Sequence, residues 1–270
     1  MILTCCAVVG LIAAVLSALG GNYWMIPLGF VGGFLAAFVA SALFLLIACA
    51  CVNLEKPQEK ENKFYRAILT PYINMLIKLF RVRVNARGLE KVPTDGRFML
   101  VCNHLSTLDP GLVLYCLPKS QLFFISKKEN RSLPIVNKFM HALRCQLLDR
   151  ENDRQALRVI LNCIKMVKDD EGSVAVFPEG YVSLTGKLLH FRSGVFKIAQ
   201  KANVPIVVCT IRGTPEVFDK LKKLQPSTVD FHLVDVIPAE ELAGKTTAEI
   251  GDRVYEMMIA DMGEEYRMEV

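Results

Sequence analysis

The first 53 residues contain no Asp, Glu, Lys, Arg or His, and no other feature limits the fold of this chain so strongly. From Leu54 onward charged residues return at ordinary globular density, and the whole formal net charge of +5 lies there. Ile2 to Leu19 is an apolar run of 18 residues, Gly20-Gly21-Asn22-Tyr23-Trp24 interrupts it, and Met25 to Val52 is a longer one. A helix of about 20 apolar residues crosses the hydrocarbon of a bilayer. The second run is therefore long enough and the first barely so. A cleaved signal peptide would need a basic leading segment, which is missing. Residues 1–53 are expected to be a membrane anchor of one or two hydrophobic helices, either two spans or one span with a shallow or re-entrant first segment. Tyr23 and Trp24 suit a membrane interface, and Lys56, Lys60, Lys63 and Arg66 follow the second run. Positive charge collects on the cytoplasmic side, so the remainder of the chain is expected to face the cytoplasm.

Residues 54–80 form an amphipathic linker helix in this reading. Phe64, Ile68, Leu69, Tyr72, Ile73, Met75, Leu76 and Leu79 give mainly a helical apolar face beside Lys63, Arg66, Lys78 and Arg81. Such a helix either packs on the domain that follows or lies on the membrane surface, and its place after the anchor favours the surface. Nine cysteines are scattered singly, apart from Cys5-Cys6 and Cys49-Ala50-Cys51. Neither cluster has zinc-ligand spacing with a second pair, so buried free thiols in a reducing compartment are expected, with no metal. The mild positive balance suits anionic lipid head groups or phosphorylated substrates, and no nucleic-acid module is present.

Residues 81–270 alternate β-rich and helical runs. Segments 98–102, 122–125, 146–148, 174–177, 206–211 and 231–236 read as strands, and 110–116, 135–142, 153–167, 195–202 and 247–262 as helices. Nearly continuous apolar strands separated by helices imply an α/β domain whose sheet is covered on both faces. Ligand sites in such sheets lie at the carboxyl ends of strands, which is where the polar clusters fall.

The first cluster is Asn103-His104-Leu105-Ser106-Thr107-Leu108-Asp109, with Pro110 at the first position of a helix. A histidine on a strand-to-helix loop can take a proton near neutral pH. Asp109 can accept the other ring N–H, provided that His104 stays in the loop and Asp109 begins the helix. Asp109 also reads as an ordinary helix cap. The second cluster is Phe177-Pro178-Glu179-Gly180-Tyr181-Val182-Ser183, followed by Lys187 and Arg192. Glu179 at a strand end, beside a glycine that admits close approach, can hold a polar substrate. Ser106 and Cys102 lie close to His104 as conceivable nucleophiles, but neither sits in a Gly-x-Ser-x-Gly elbow.

The order of these clusters resembles the lysophosphatidate acyltransferase (1-acylglycerol-3-phosphate O-acyltransferase) family. That family carries Asn-His-x4-Asp, a Lys-rich block, an Asp-Arg block, Phe-Pro-Glu-Gly-Thr-Arg and a Val-Pro-Ile stretch. Here they stand as Asn103-His104 to Asp109, Ser126-Lys127-Lys128-Glu129, Leu148-Asp149-Arg150, Phe177-Pro178-Glu179-Gly180 and Val204-Pro205-Ile206. The resemblance implies a mixed sheet covered by helices, an acyl-CoA or acyl carrier protein donor, no cofactor, and a lysophospholipid acceptor drawn from membrane lipids. It implies His104 and Asp109 as catalytic, and Asn103, Lys128, Arg150, Glu179, Gly180, Lys187 and Arg192 as substrate-binding. Backbone N–H groups near Pro110 or Gly180 would steady the oxyanion. One departure stands out. Tyr181-Val182 replaces Thr-Arg, and Val182 cannot bind the acceptor phosphate as the family arginine is thought to, which leaves Lys187, Arg192 and Arg150 as the nearby cations. Glycerol 3-phosphate, another lysophospholipid or a glycolipid is the alternative acceptor; thioester hydrolysis and a membrane scaffold are more distant readings.

Overall fold

The structure, a computed structural model, describes residues 1–149 and 151–268. The uncharged segment forms a hairpin of two helices, α1 (Ile2–Leu19) and α2 (Ile26–Ala50), both long and apolar enough to cross a membrane. Small residues let the two backbones approach. A Cβ at Gly29 would stand 2.7 Å from Ser17 Oγ, and one at Gly33 would stand 2.9 Å from Ala13 Cβ.

Helix α3 (Lys63–Leu79) starts at Asn62, whose side chain accepts the Phe64 N–H at 3.1 Å. The Tyr65 hydroxyl donates to Ala48 O at 2.8 Å, and the Tyr72 hydroxyl donates to Ser41 O at 2.5 Å. The tyrosines and their acceptors are each seven residues apart, so α3 runs antiparallel to α2 along one stripe. The Arg66 guanidinium donates to Leu122 O at 2.6 Å, at the start of a strand. The helix expected on the membrane surface is thus wedged between hairpin and domain, although Phe64, Leu76 and Leu79 remain exposed. The reason is its tyrosine pair, which turns part of the apolar face onto α2.

Seven strands form one sheet: β1 (Val82–Arg87), β2 (Met99–Cys102), β3 (Leu122–Lys127), β4 (Gln146–Leu148), β5 (Ser173–Val176), β6 (Ile206–Arg212) and β7 (Ser227–Ile237). Their order is β1-β7-β6-β2-β5-β3-β4, with every pair parallel except β6 and β7. The sheet is mixed, as expected. Helices α4 (Asp109–Cys116), α5 (Val136–Ala142), α6 (Asp153–Lys168), α7 (Lys197–Ala202), α8 (Glu216–Lys222) and α9 (Thr247–Met262) complete the domain.

Side chains alternate between two cores, as a pleated strand requires. Met99, Val101, Val174, Val176 and Val208 pack with residues of α6, α7 and α9. Leu100, Cys102, Ala175, Val207 and Cys209 pack on the opposite face with Leu112, Val113 and Cys116 of α4. The nine cysteines are free, and burial pushes Cys116 and Cys163 up to about 12.

Gly88 closes the turn after β1 with φ of +73°, and a Cβ there would fall 2.2 Å from Leu233 O on β7. Both the backbone angle and the space exclude a side chain. Gly88→Ala is expected to lower the unfolding free energy of the detergent-solubilised chain by about 2 kcal/mol or more, read by thermal denaturation.

Candidate active site

Where β2 ends, Asn103 continues its pairing with a side chain. Ile211 N–H donates to Asn103 Oδ1 at 2.7 Å, and Asn103 Nδ2 donates to Ile211 O at 2.9 Å. This buried amide adds one rung to the β2–β6 ladder, and the next residue, His104, leaves the sheet. The chain then folds back on Asp109. One carboxylate oxygen, Oδ2, accepts the N–H groups of Leu105 and Ser106, each at 2.7 Å. The same oxygen lies 2.8 Å from His104 Nδ1. Asp109 is fully buried and begins α4, the arrangement that Pro110 suggested.

An acceptor already holding two N–H groups favours a third donor, so Nδ1 carries the proton in the neutral ring and Nε2 is the basic atom. Nε2 makes no hydrogen bond among the described residues. The imidazole stacks on Phe177, centroids 4.3 Å apart, and Phe177 stacks in turn on Phe124. His104 is therefore held at its edge by Asp109 and on one face by an aromatic ring, with its side chain 17% exposed.

Glu179 holds the backbone of the same residue. Its Oε1 accepts the His104 N–H at 2.6 Å and its Oε2 accepts the Leu189 N–H at 2.8 Å, while Ser183 N–H donates to His104 O at 2.8 Å. Glu179 is 2% exposed, and both oxygens serve the protein, so its observed place is that of a brace between two loops. Burial pushes its carboxyl up from 4.5 to about 8, the two N–H donors oppose the rise, and Asp109 nearby adds to it.

The other expected residues fall around this centre. Gly180 has φ of +76°, and its N–H is committed to Phe177 O at 3.0 Å, which removes it as an oxyanion donor. A Cβ at Gly180 would lie 3.1 Å from Arg192 Nε, so the missing side chain is what lets Arg192 cross this turn. The Arg192 guanidinium sits 5.5 Å from the Tyr181 ring centroid and has no carboxylate partner among the described residues. The Lys187 carbonyl accepts from Ser183 Oγ at 2.6 Å, which closes the loop behind Glu179. Lys128 pairs with Asp149 at 3.1 Å on the far strands, and Arg131 and Lys138 hold the Glu55 side chain and the Val52 carbonyl. Arg150 lies outside the described residues. Cys102 is wholly buried, its thiol pushed far above the usual range by burial, which disqualifies it as a nucleophile.

A second histidine–aspartate pair went unread in the sequence. His232 Nδ1 lies 2.6 Å from Asp261 Oδ1, and Thr210 Oγ1 donates to Asp261 Oδ2 at 2.5 Å. Its partners sit 29 residues apart, so no local spacing announces it. It fastens the end of α9 to β6 and β7.

Residues 83–212 match the family described as Acyltransferase. A 1-acyl-sn-glycerol-3-phosphate acyltransferase of Cocos nucifera is 34% identical over 121 residues, which cover 45% of this chain and 39% of that protein. A Mycoplasma pneumoniae protein named "Probable 1-acyl-sn-glycerol-3-phosphate acyltransferase" is 30% identical over 178 residues, 64% of each chain. The chain thus spans less than two thirds of the length of these relatives. The crystal structure of the 1-acyl-sn-glycerophosphate (LPA) acyltransferase PlsC from Thermotoga maritima shares the fold, with a TM-score of 0.64 at 23% identity over 88% of this chain and 95% of that one. The histidine–aspartate pair at the end of β2 lies within the segment that this family model matches. Residues 83–212 are thus similar to the Acyltransferase family, and the relatives they match are named 1-acyl-sn-glycerol-3-phosphate acyltransferases.

The raised carboxyl of Glu179 has a definite sign for stability. A folded-state value above the ordinary 4.5 means that the native protein binds the proton more tightly than the unfolded chain. Its contribution is full below pH 4.5 and is lost as pH rises through about 8. Unfolding free energy measured across that window should fall with pH, and Glu179→Gln should flatten the slope.

Proposed function

We propose that the chain transfers a fatty acyl group from acyl-CoA or acyl carrier protein to the sn-2 hydroxyl of lysophosphatidate, giving phosphatidate. The observation that carries this reading is the orientation of His104, with Nδ1 on buried Asp109 and Nε2 unengaged. Nε2 removes the acceptor's hydroxyl proton while Asp109 stabilises the imidazolium that forms. The acceptor oxygen attacks the thioester carbonyl, the C–S bond of the tetrahedral intermediate breaks, and the imidazolium proton goes to the departing thiolate. The step needs neither an acyl-enzyme nor a metal. Glu179 and Ser183 keep His104 from drifting as the ring gains charge.

Arg192 is the residue best placed to hold the acceptor phosphate in place of the arginine missing at position 182. It is exposed, lies across Gly180 next to the residue that braces His104, and has no carboxylate partner among the described residues. The uncharged hairpin keeps the domain at a membrane, with the catalytic part on the cytoplasmic side by the charge argument. Val182 supports a second reading, in which a related acceptor such as glycerol 3-phosphate, another lysophospholipid or a glycolipid is used.

His104→Ala should reduce transfer by about 10²–10⁴-fold while leaving the circular dichroism spectrum unchanged. Near-normal turnover in that variant would sink the mechanism. Arg192→Ala should raise KM for a phosphate-bearing acceptor roughly tenfold or more, with little change in kcat. A panel of lysolipids offered with one labelled donor separates the acceptors: product from lysophosphatidate alone supports the main reading. Free fatty acid alone would replace it with hydrolysis.

A further inference from the structure

The turn between α8 and β7 exposes what a soluble surface ordinarily hides. Leu224 is 76% exposed and sits at φ of +55°, and Arg81 donates to its carbonyl at 2.5 Å. Phe218 on α8, 40% exposed, packs against Phe80 with ring centroids 6.1 Å apart, and Leu76 and Leu79 on α3 stay exposed close by. The basic residues around this apolar ridge outnumber the acids. Lys220 and Lys222 pair with Glu216 and Asp219 on the same helix, whereas Lys78 and Lys223 have no carboxylate partner among the described residues. Large apolar side chains ringed by lysines make a surface suited to an anionic bilayer.

The topology points this patch in a definite direction. Arg66 of α3 bonds to Leu122 at the start of β3, and the other end of α3 leads into β1 beside Ser227. Helix α3 therefore runs the length of the sheet. Because β7 is antiparallel to β6, with Asp230 opposite Arg212, Ser227 and the turn before it stand at the carboxyl end of β6. Parallel pairing of β6 with β2 puts that end beside the exit of His104. The two tyrosine bonds set α2 antiparallel to α3, so the hairpin turn at Tyr23 and Trp24 points the same way. Hairpin turn, patch and catalytic histidine share one end of the molecule.

We infer that the ridge formed by Phe218, Leu224 and the α3 end is a second bilayer contact, seated on anionic phospholipid. The inference rests on the hairpin being a membrane anchor, and it adds a contact that the anchor alone does not require. It orients the domain so that the acceptor reaches His104 from the lipid side.

The test uses the full chain in phosphatidylcholine vesicles with and without phosphatidylglycerol, with brominated acyl chains as quencher. Trp24 is the chain's one tryptophan and reports the hairpin. A Trp24→Phe, Leu224→Trp protein reports the patch. Quenching of both indoles is expected, with that at position 224 strengthened by phosphatidylglycerol. Adding Lys222→Gln and Lys223→Gln should weaken that dependence by about fivefold for each charge removed, while turnover in detergent micelles stays unchanged. Quenching at Trp24 with none at position 224 would overturn the docking surface and leave the anchor standing. A blue shift at position 224 that follows protein concentration instead of bromination would assign the patch to a second copy, and overturn the inference too. No quenching at either position removes anchor and patch together.

Discussion

One oxygen atom organises the centre of this protein. Asp109 Oδ2 gathers two backbone N–H groups and a ring nitrogen into a single acceptor. Hydrogen bonds to an ionised, buried acceptor are among the stronger ones a protein makes. Here they turn the loop after β2, begin α4 and set the tautomer of His104 in one arrangement. Two functions that sequence reasoning separates, helix start and histidine partner, are thus performed by the same atom.

Around that atom stands a second carboxylate with the opposite task. Glu179 grips the His104 main chain from the β5 side, and its other oxygen grips Leu189, so the two loops flanking the site are tied through it. Asn103 does similar work towards β6. His104 is thereby fixed by three neighbours, Asn103 and Asp109 beyond the end of β2 and Glu179 beyond β5, while Nε2 makes no hydrogen bond among the described residues. Rigidity of the support and freedom of Nε2 belong to one design.

Much of this was legible beforehand, and the limits have physical reasons. The central strands showed themselves because burial on both faces makes them continuously apolar, as at 98–102 and 206–211. His104 and Asp109 were readable because their partnership is local, five residues long, with Pro110 marking where the helix had to start. Glu179 was readable as a site residue but not as a brace, since its partner lies 75 residues away. Asn103 was readable as a motif residue, but its rung to Ile211 depends on a strand register that no local pattern encodes. Strand β1 was overlooked because it is an edge strand with mostly exposed side chains, Val-Arg-Val-Asn-Ala-Arg, and so lacks the apolar run of its neighbours. Helix α8 is only seven residues long and mostly charged. The linker helix went the other way: its amphipathic pattern was clear, and its destination was decided by two tyrosine hydroxyls.

Those hydroxyls have a further consequence. A helix that slides or rolls against another by a single residue turns its side chains through about 100°. Bonds from Tyr65 and Tyr72 to carbonyls spaced by the same seven residues therefore admit one register and one rotation, like two teeth of a key in one lock. Phe44 of α2 adds an edge-on contact to Phe64 of α3, with ring centroids 6.4 Å apart. With the teeth engaged, the bearing of the domain on the apolar hairpin is set by main-chain atoms, since Ala48 and Ser41 take part through their carbonyls.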